Sequence, residues 1–370
     1  MGRKKKVLFL LEAFDKGGIE KVTLDIVNNL DPEKYDITVQ TFWYGGHCQN
    51  QVKSHIKVIP FFFRRYVRGI IRLIAYLPPK LLYQLFVHGK YDIEIACSDG
   101  GAAKVISGST NPHSRKICWV HMDVVERGSK LKEFVDAKTA NRIYSRFDLI
   151  VPVSEACKIK FETKFGCNYP IQVVRNPMPV ADILRKSNAF QPDFSRRETT
   201  FVCIGRLVEQ KGFDRLIHVA YDLKTKLSRP FHIYIIGDGP ERETLETTIS
   251  DLDLNNEITM LGFKDNPYPY LKQADWFLLP SRDEAFPLVV GESLIVGTPV
   301  IATDCSGVRE WLKNDYYGKV LSNSSKGILS GMEQVLIDPE ILIKYRCNAS
   351  EALQEISFEN GLLEFEAILR

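Results

Sequence analysis

The feature that most constrains the fold of this chain is a strand, turn and helix rhythm that runs through it twice. Short apolar, β-branched runs each give way to a turn and then to a stretch with helical spacing. In the first half the runs are KVLFLLEAF, YDITVQTF, IKVIPFF, YDIEIACS, KICWVHM and LIVPVS; in the second they are TFVCIGRL, FHIYIIGDG, ITMLGF, DWFLLPS and TPVIATD. Apolar strands alternating with helices build parallel sheets covered on both faces. Between the two sets lies VVRNPMPVADI, where Pro177 and Pro179 predict a break in regular structure and Asn176-Pro177 an extended turn, so a hinge is expected near residues 175 to 190. At 370 residues the chain is long enough for two cores. The expected architecture is α/β, with two Rossmann-like doubly wound domains at residues 1–178 and 190–350. A helix in residues 351–370 is expected to pack back on the first domain. In such sheets ligands bind at the carboxyl ends of the strands.

Composition narrows the class of protein. The eight cysteines are scattered, with no CxxC pair and mostly within apolar runs, which fits reduced core thiols of a cytosolic protein rather than a metal site or disulfide framework. The opening MGRKKKVLFLLEAFDKGG imitates a signal peptide, but Glu12 and Asp15 interrupt its apolar run, and it is expected to form a buried strand. Lys6 stands where an N-myristoylation motif needs a hydroxyl. The net charge of +3 conceals an asymmetry: residues 1 to 175 carry 28 Lys and Arg against 17 Asp and Glu, and the remainder 21 against 29. A basic first half points to an anionic partner.

The segment LLPSRDEAFPLVVGESLIVGTPVIATD concentrates the chemistry. A strand ending at Pro280 precedes a loop holding Glu284, Pro287 suits the first helical position, Glu292 lies within the helix, and Gly297 suits its end. No Ser, Thr, Asp or Asn caps that helix, so the N–H groups of Leu288 and Val289 are available to a phosphate. The alternative is two solvated glutamates on a surface helix. In FVCIGRLVEQKGFDRLI, Arg206 and Lys211 flank a turn after a strand ending at Gly205, and two cations there can neutralise a leaving diphosphate. In IYIIGDGPERETLE, Gly237 and Gly239 make half a dinucleotide fingerprint, with Arg242 in place of the third glycine. Gly17-Gly18 follows the first strand and opens a helix, which suits either a ligand phosphate or a structural turn. His121 ends a strand in ICWVHMDV, where it serves either packing or the cleft. Asp251-x-Asp253 lies in a polar stretch with turn character and reads as solvated surface. GxSxG, HExxH and P-loop motifs are absent from the sequence.

In order, GGIEKVTLDIVNNL, VHMDV, VPVSEACK, VVRNPM, IGRLVEQKGFDRLI, IGDGP and the E-x7-E segment resemble the retaining glycosyltransferases of GT-B fold, family-four group, over nearly the whole chain. The resemblance implies that the first domain binds the acceptor and the second a nucleotide-sugar donor, habitually UDP-linked. Arg206 and Lys211 would hold the donor diphosphate, Glu284 the hydroxyls of the transferred sugar and Glu292 the ribose. Phe286, Pro287 and Leu288 would supply backbone around phosphates and sugar, with Gly205 at the strand end beneath. Gly17 and Gly18 would close from the other domain, Phe263 would lie near the base and His121 beside sugar and acceptor. The reaction would need no metal and no cofactor, the nucleotide-sugar being a substrate, and would transfer a hexosyl or N-acetylhexosaminyl group. Two departures from the family pattern stand out: Pro287 replaces a common glycine, and Gly291 a larger apolar residue.

Residues 61 to 90 hold six cations and no carboxylate among aromatic and aliphatic residues, and Arg64, Arg65, Arg68 and Arg72 recur at spacings that gather them on one helical face. This is the pattern of a helix on an anionic membrane surface or, alternatively, of an amphipathic helix with solvated arginines. Pro78-Pro79 argues against a transmembrane span. The expected partners are a nucleotide-sugar donor, a glycan or lipid-linked acceptor and an anionic membrane, with no nucleic acid, at the inner face of the cytoplasmic membrane. Competing classes are a non-catalytic glycan-binding or chaperone subunit that kept the fold, and a nicotinamide-dependent oxidoreductase using the Gly237 segment.

Overall fold

The computed structural model of the chain describes residues 3–14, 17–46, 49–62, 76–121, 137–194 and 198–370. The chain forms two compact units, one of Met1–Pro177 with Phe358–Arg370 and one of Met178–Ser357. In the first, strands β1 (Lys5–Leu11), β2 (Tyr35–Trp43), β3 (Lys57–Phe62), β4 (Ile93–Ala96), β5 (Arg115–Val120) and β6 (Leu149–Pro152) lie in the order β3-β2-β1-β4-β5-β6. In the second, β7 (Thr199–Ile204), β8 (Phe231–Ile236), β9 (Ile258–Gly262), β10 (Trp276–Leu279), β11 (Val300–Thr303) and β12 (Gly318–Leu321) lie in the order β12-β11-β10-β7-β8-β9. Every pairing is parallel. These are the two doubly wound sheets that the rhythm predicts.

The strands form because their side chains are buried on both faces. Alternation in the second sheet sends Phe201, Cys203, Ile233, Ile235, Trp276 and Leu278 into one core. It sends Val202, Tyr234, Ile236, Phe277, Leu279 and Val300 into the other. The sequence pattern leaves β12 undetected. GKVL is short and only half apolar, and its glycine is required because a Cβ at Gly318 would stand 2.5 Å from the Val300 carbonyl oxygen.

Two boundaries differ from expectation. Helix Val180–Ser187 begins directly after Pro179, so the prolines lead into a helix rather than excluding one. Proline's fixed φ and missing N–H cost nothing where the first helical amides have no partner. The second unit also extends past residue 350, through helix Glu340–Ala352 to Ser357, and the returning helix is Phe358–Ala367. Its anchor is Phe365, fully buried, with its ring 6.2 Å from Phe9 and 4.9 Å from Trp119. Glu366 accepts from Lys34 Nζ at 3.0 Å and from Tyr35 Oη at 3.3 Å, and Lys5 Nζ donates to the Leu369 carbonyl at 3.0 Å. Among the described residues no helix is long and apolar enough to cross a membrane. Arg64, Arg65, Arg68 and Arg72 lie outside the described residues.

Phe365→Ala empties an aromatic site between β1 and β5 and is expected to destabilise the first unit by about 3–5 kcal/mol. Denaturant unfolding of the variant and the wild type, followed by circular dichroism, checks this.

Candidate active site

In the second unit the strand order reverses between β10 and β7, and the loops leaving these neighbours diverge over the crevice where doubly wound sheets bind ligands. Backbone contact fixes the two loops together. Gly212 has φ +68°, and a Cβ there would stand 2.2 Å from the Pro280 carbonyl oxygen, so only glycine lets the β7 turn sit on the β10 end. Below the contact, Arg215 is buried. It donates to the Pro280 carbonyl from Nε at 3.0 Å and Nη2 at 2.7 Å, to the Ser281 carbonyl at 2.8 Å and to Asn323 Oδ1 at 2.8 Å. Burial, and then the nearby Arg282 charge, draw its pKa below the usual guanidinium value. Arg282 clamps Asp214 through two 2.6 Å bonds and donates to the Glu209 carbonyl at 2.7 Å. Gln210 adds a 2.9 Å bond to the Asp283 carbonyl.

This scaffold brings Lys211 and Glu284 together. Glu284 is buried, and its Oε1 accepts from Lys211 Nζ at 2.5 Å and from Ser281 Oγ at 2.7 Å. The lysine stem crosses Gly205, passing 3.4 to 3.6 Å from where a Cβ would be. Arg206, one residue on, is exposed, and its guanidinium has no partner among the described residues. A carboxylate held in a fixed orientation by a cation and a hydroxyl, with a further cation beside it, can present oxygen to sugar hydroxyls and positive charge to phosphate.

The helix Leu288–Ile295 starts immediately after Glu284's loop. Pro287 is its cap rather than its first residue, with φ −70° and ψ 102°, and no side chain caps the first turn. The amides of Leu288 and Val289 therefore precede the first intrahelical bonds. At the far end Gly297, φ +80°, donates to the Leu294 carbonyl at 3.0 Å while Thr298 donates to that of Ser293 at 2.9 Å, closing the helix as a Schellman motif. Glu292 is buried on this helix and accepts from Tyr268 Oη at 3.2 Å. Phe286 is buried and stacks on Trp311.

The glycines of the β8 loop have a structural cause. A Cβ at Gly237 would lie 1.8 Å from the Gly205 carbonyl oxygen, and one at Gly239 2.4 Å from that of Leu207. They let the β8 loop pack against the β7 loop, which accounts for the half fingerprint without a dinucleotide. Phe263 follows β9 and is 38% exposed, at the same sheet edge of strand ends. Asp253 has φ +52° and a side chain 92% exposed that pairs with Lys224, in agreement with solvated surface. Among the described residues no group of three or more His, Cys, Asp or Glu side chains could hold a metal ion.

In the first unit, Gly17 caps helix Gly18–Asn29, and the Glu20 carboxylate folds back over it, 2.1 Å from where a Cβ would stand. An acidic group already faces that helix start. His121 follows β5, its ring 4.2 Å from Trp119. As a residue it is only partly buried, but Nε2 is enclosed and unpartnered among the described residues, and burial draws the imidazole pKa down to about 3. The structure thus brings Gly205, Lys211, Glu284, Phe286, Pro287, Leu288 and Glu292 to one end of one sheet. Gly17, Gly18 and His121 belong to the other unit. Sequence reading does not find Arg215, Ser281, Arg282, Tyr268 or Trp311. Arg215 alone leaves a trace, as a cation between Phe213 and Leu216 on an otherwise apolar helix face.

Residues 185–352 match the family model described as glycosyl transferases group 1, and residues 16–182 that described as glycosyltransferase family 4. Together these take in nearly the whole chain, and it belongs to the group 1 glycosyltransferases of GT-B fold. A Haemophilus influenzae protein described as an uncharacterized glycosyltransferase is 23% identical over 99% of this chain and 100% of its own length. The Campylobacter jejuni N-acetylgalactosamine-N,N'-diacetylbacillosaminyl-diphospho-undecaprenol 4-alpha-N-acetylgalactosaminyltransferase is 26% identical over 60% of this chain and 61% of that enzyme. The solved structure of Anabaena HepE in complex with UDP-glucose superposes with a TM-score of 0.76 at 19% identity, covering 99% of each chain, a likeness of fold.

The enclosed His121 is expected to stay neutral from about pH 8 to 5, with no titration of its ring signals in imidazole NMR. Because its folded pKa lies below its ordinary 6.5, the neutral ring stabilises the fold above that value. The contribution is lost as pH falls from 6.5 toward about 3. Stability should therefore fall more steeply with acid in the wild type than in His121→Asn.

Proposed function

We propose that this protein is a retaining, metal-independent transferase that moves a hexosyl or N-acetylhexosaminyl group from a UDP-sugar to a glycan or lipid-linked acceptor in cell-surface polysaccharide or glycolipid synthesis. The observation that carries the reading is the buried Glu284, held by Lys211 at 2.5 Å and Ser281 at 2.7 Å beside an uncapped helix start. Arg206, Lys211 and the amides of Leu288 and Val289 neutralise the departing diphosphate. Glu284 accepts from the sugar hydroxyls and Glu292 from the ribose. The acceptor oxygen attacks the anomeric carbon on the face the diphosphate leaves, the carbon–oxygen bond to phosphate breaks, and the acceptor's proton passes to the leaving phosphate oxygen. Fixed charge aimed at the leaving group lowers the barrier without a metal. UDP is favoured by the likeness to HepE, described with UDP-glucose, and a lipid-linked acceptor by the likeness to the diphospho-undecaprenol enzyme.

The acceptor side rests on charge and exposed apolar surface. Residues 61 to 90 carry six cations and no carboxylate. In the same stretch helix Pro79–Phe86 leaves Leu81 and Leu85, one turn apart, 41% and 43% exposed, and Tyr76 is 77% exposed. Cations that attract anionic headgroups and leucines that enter the interface together suit peripheral binding at the inner face of the cytoplasmic membrane.

Lys211→Ala and Glu284→Ala are each expected to lower turnover roughly 100- to 1000-fold, measured as nucleotide release from a panel of UDP- and GDP-sugars in the presence of EDTA. Proton NMR of the product should show the donor's anomeric configuration retained. Full turnover in both variants, or an inverted product, would sink the reading. In sedimentation at low salt the protein should bind phosphatidylglycerol vesicles and not phosphatidylcholine vesicles, and Leu81→Asp/Leu85→Asp should weaken that binding. Equal binding to both vesicle types, or to neither, would refute the membrane contact.

A further inference from the structure

Many helices fix the direction of the incoming chain with a staple, in which an apolar side chain just before the cap packs on another at the fourth helical position. In helix Leu288–Ile295 the cap is Pro287, the residue before it is Phe286, and the fourth position is Gly291, which has no side chain to offer. The missing half comes from elsewhere. Trp311, at the end of helix Val308–Trp311, lays its indole over the glycine, so that a Cβ at Gly291 would stand 2.5 Å from Cη2, 2.8 Å from Cζ2 and 2.9 Å from Cζ3. The same indole stacks on Phe286 with centroids 4.7 Å apart and planes 24° apart. Phe286 is also confined from the Gly307 side, where a Cβ would lie 2.7 Å from its Cδ2 and 2.7 Å from the Ala285 carbonyl oxygen. The ring therefore has one seat, and Trp311 and Gly307 define it.

We infer that Trp311 is a positioning residue for the donor site: it completes the staple that Gly291 leaves open and so aims the amides of Leu288 and Val289. It acts through Phe286 and the helix start. Gly291 and Trp311 form a compensating pair, in which a larger side chain at 291 and an indole at 311 exclude each other. The inference rests on the reading of this helix start as the diphosphate site.

The test is calorimetric binding of UDP, or of GDP if the wild type prefers it, to the full-length protein, with thermal unfolding recorded on each variant. Trp311→Ala should weaken nucleotide binding about tenfold while remaining folded. Trp311→Phe, which keeps a ring against Phe286, should bind within about twofold of wild type. Gly291→Leu alone should clash and bind poorly, whereas Gly291→Leu/Trp311→Ala, with the staple restored inside the helix, should regain most of what Trp311→Ala loses. Wild-type binding by folded Trp311→Ala, or no recovery in the double variant, would overturn the inference. Lys211→Ala separates the two levels: if it too binds nucleotide normally, the donor-site reading has failed, and if it alone binds weakly, only the staple has.

Discussion

The Arg215 guanidinium lies buried where β7 and β10 adjoin and donates to two successive carbonyls at the end of β10, and the geometry of the second unit's site follows from that contact. Each hydrogen bond from a charged group is worth about 1.5–3 kcal/mol, and each buried carbonyl left unpaired costs about 1–3 kcal/mol. Such a connection either holds as a whole or is lost as a whole. Gly212 permits it by letting backbone meet backbone over Pro280. With the two loops locked, Ser281 and Lys211 converge on one oxygen of Glu284. The catalytic candidates are thus positioned by groups that need never touch a substrate.

Charge is arranged in layers around that point. Arg282 is matched to Asp214, whose carboxyl its hydrogen bonds hold below the ordinary range, and this pair takes up the structural charge at the rim. Lys211 is matched to Glu284, while Arg206 stays exposed. The diphosphate of the proposed donor would meet Lys211 and Arg206 together with the helix amides. The apolar stack of Phe286 on Trp311 supports those amides from behind, which ties packing remote from the charges to their alignment.

The first unit shows a different economy. Its sheet is closed by a helix that belongs to the far end of the sequence, with Phe365 seated against Phe9 and Trp119. His121 packs against that same Trp119 with its ring tilted by 56°, so the returning helix and the histidine share one aromatic support. The Glu20 carboxylate over Gly17 already supplies negative charge to the helix start that the resemblance assigns to the donor.

The sequence by itself determined the class of fold, because buried parallel strands must be continuous apolar runs and helices must show a 3.6-residue period, and both are written locally. It likewise located the loops after β7 and β10 that hold Arg206, Lys211 and Glu284, and the helix that carries Glu292. It did not disclose β12, where Gly318 answers to a neighbouring carbonyl rather than to strand propensity, nor helix Val180–Ser187, which the preceding prolines conceal. Only the tertiary structure decided that Gly237 and Gly239 serve loop packing, that Arg215 is a buried organiser rather than a surface cation, and that Trp311 supplies the side chain Gly291 lacks. Each of these depends on a contact between residues far apart in sequence, and a local pattern of residue types carries no record of distance in space.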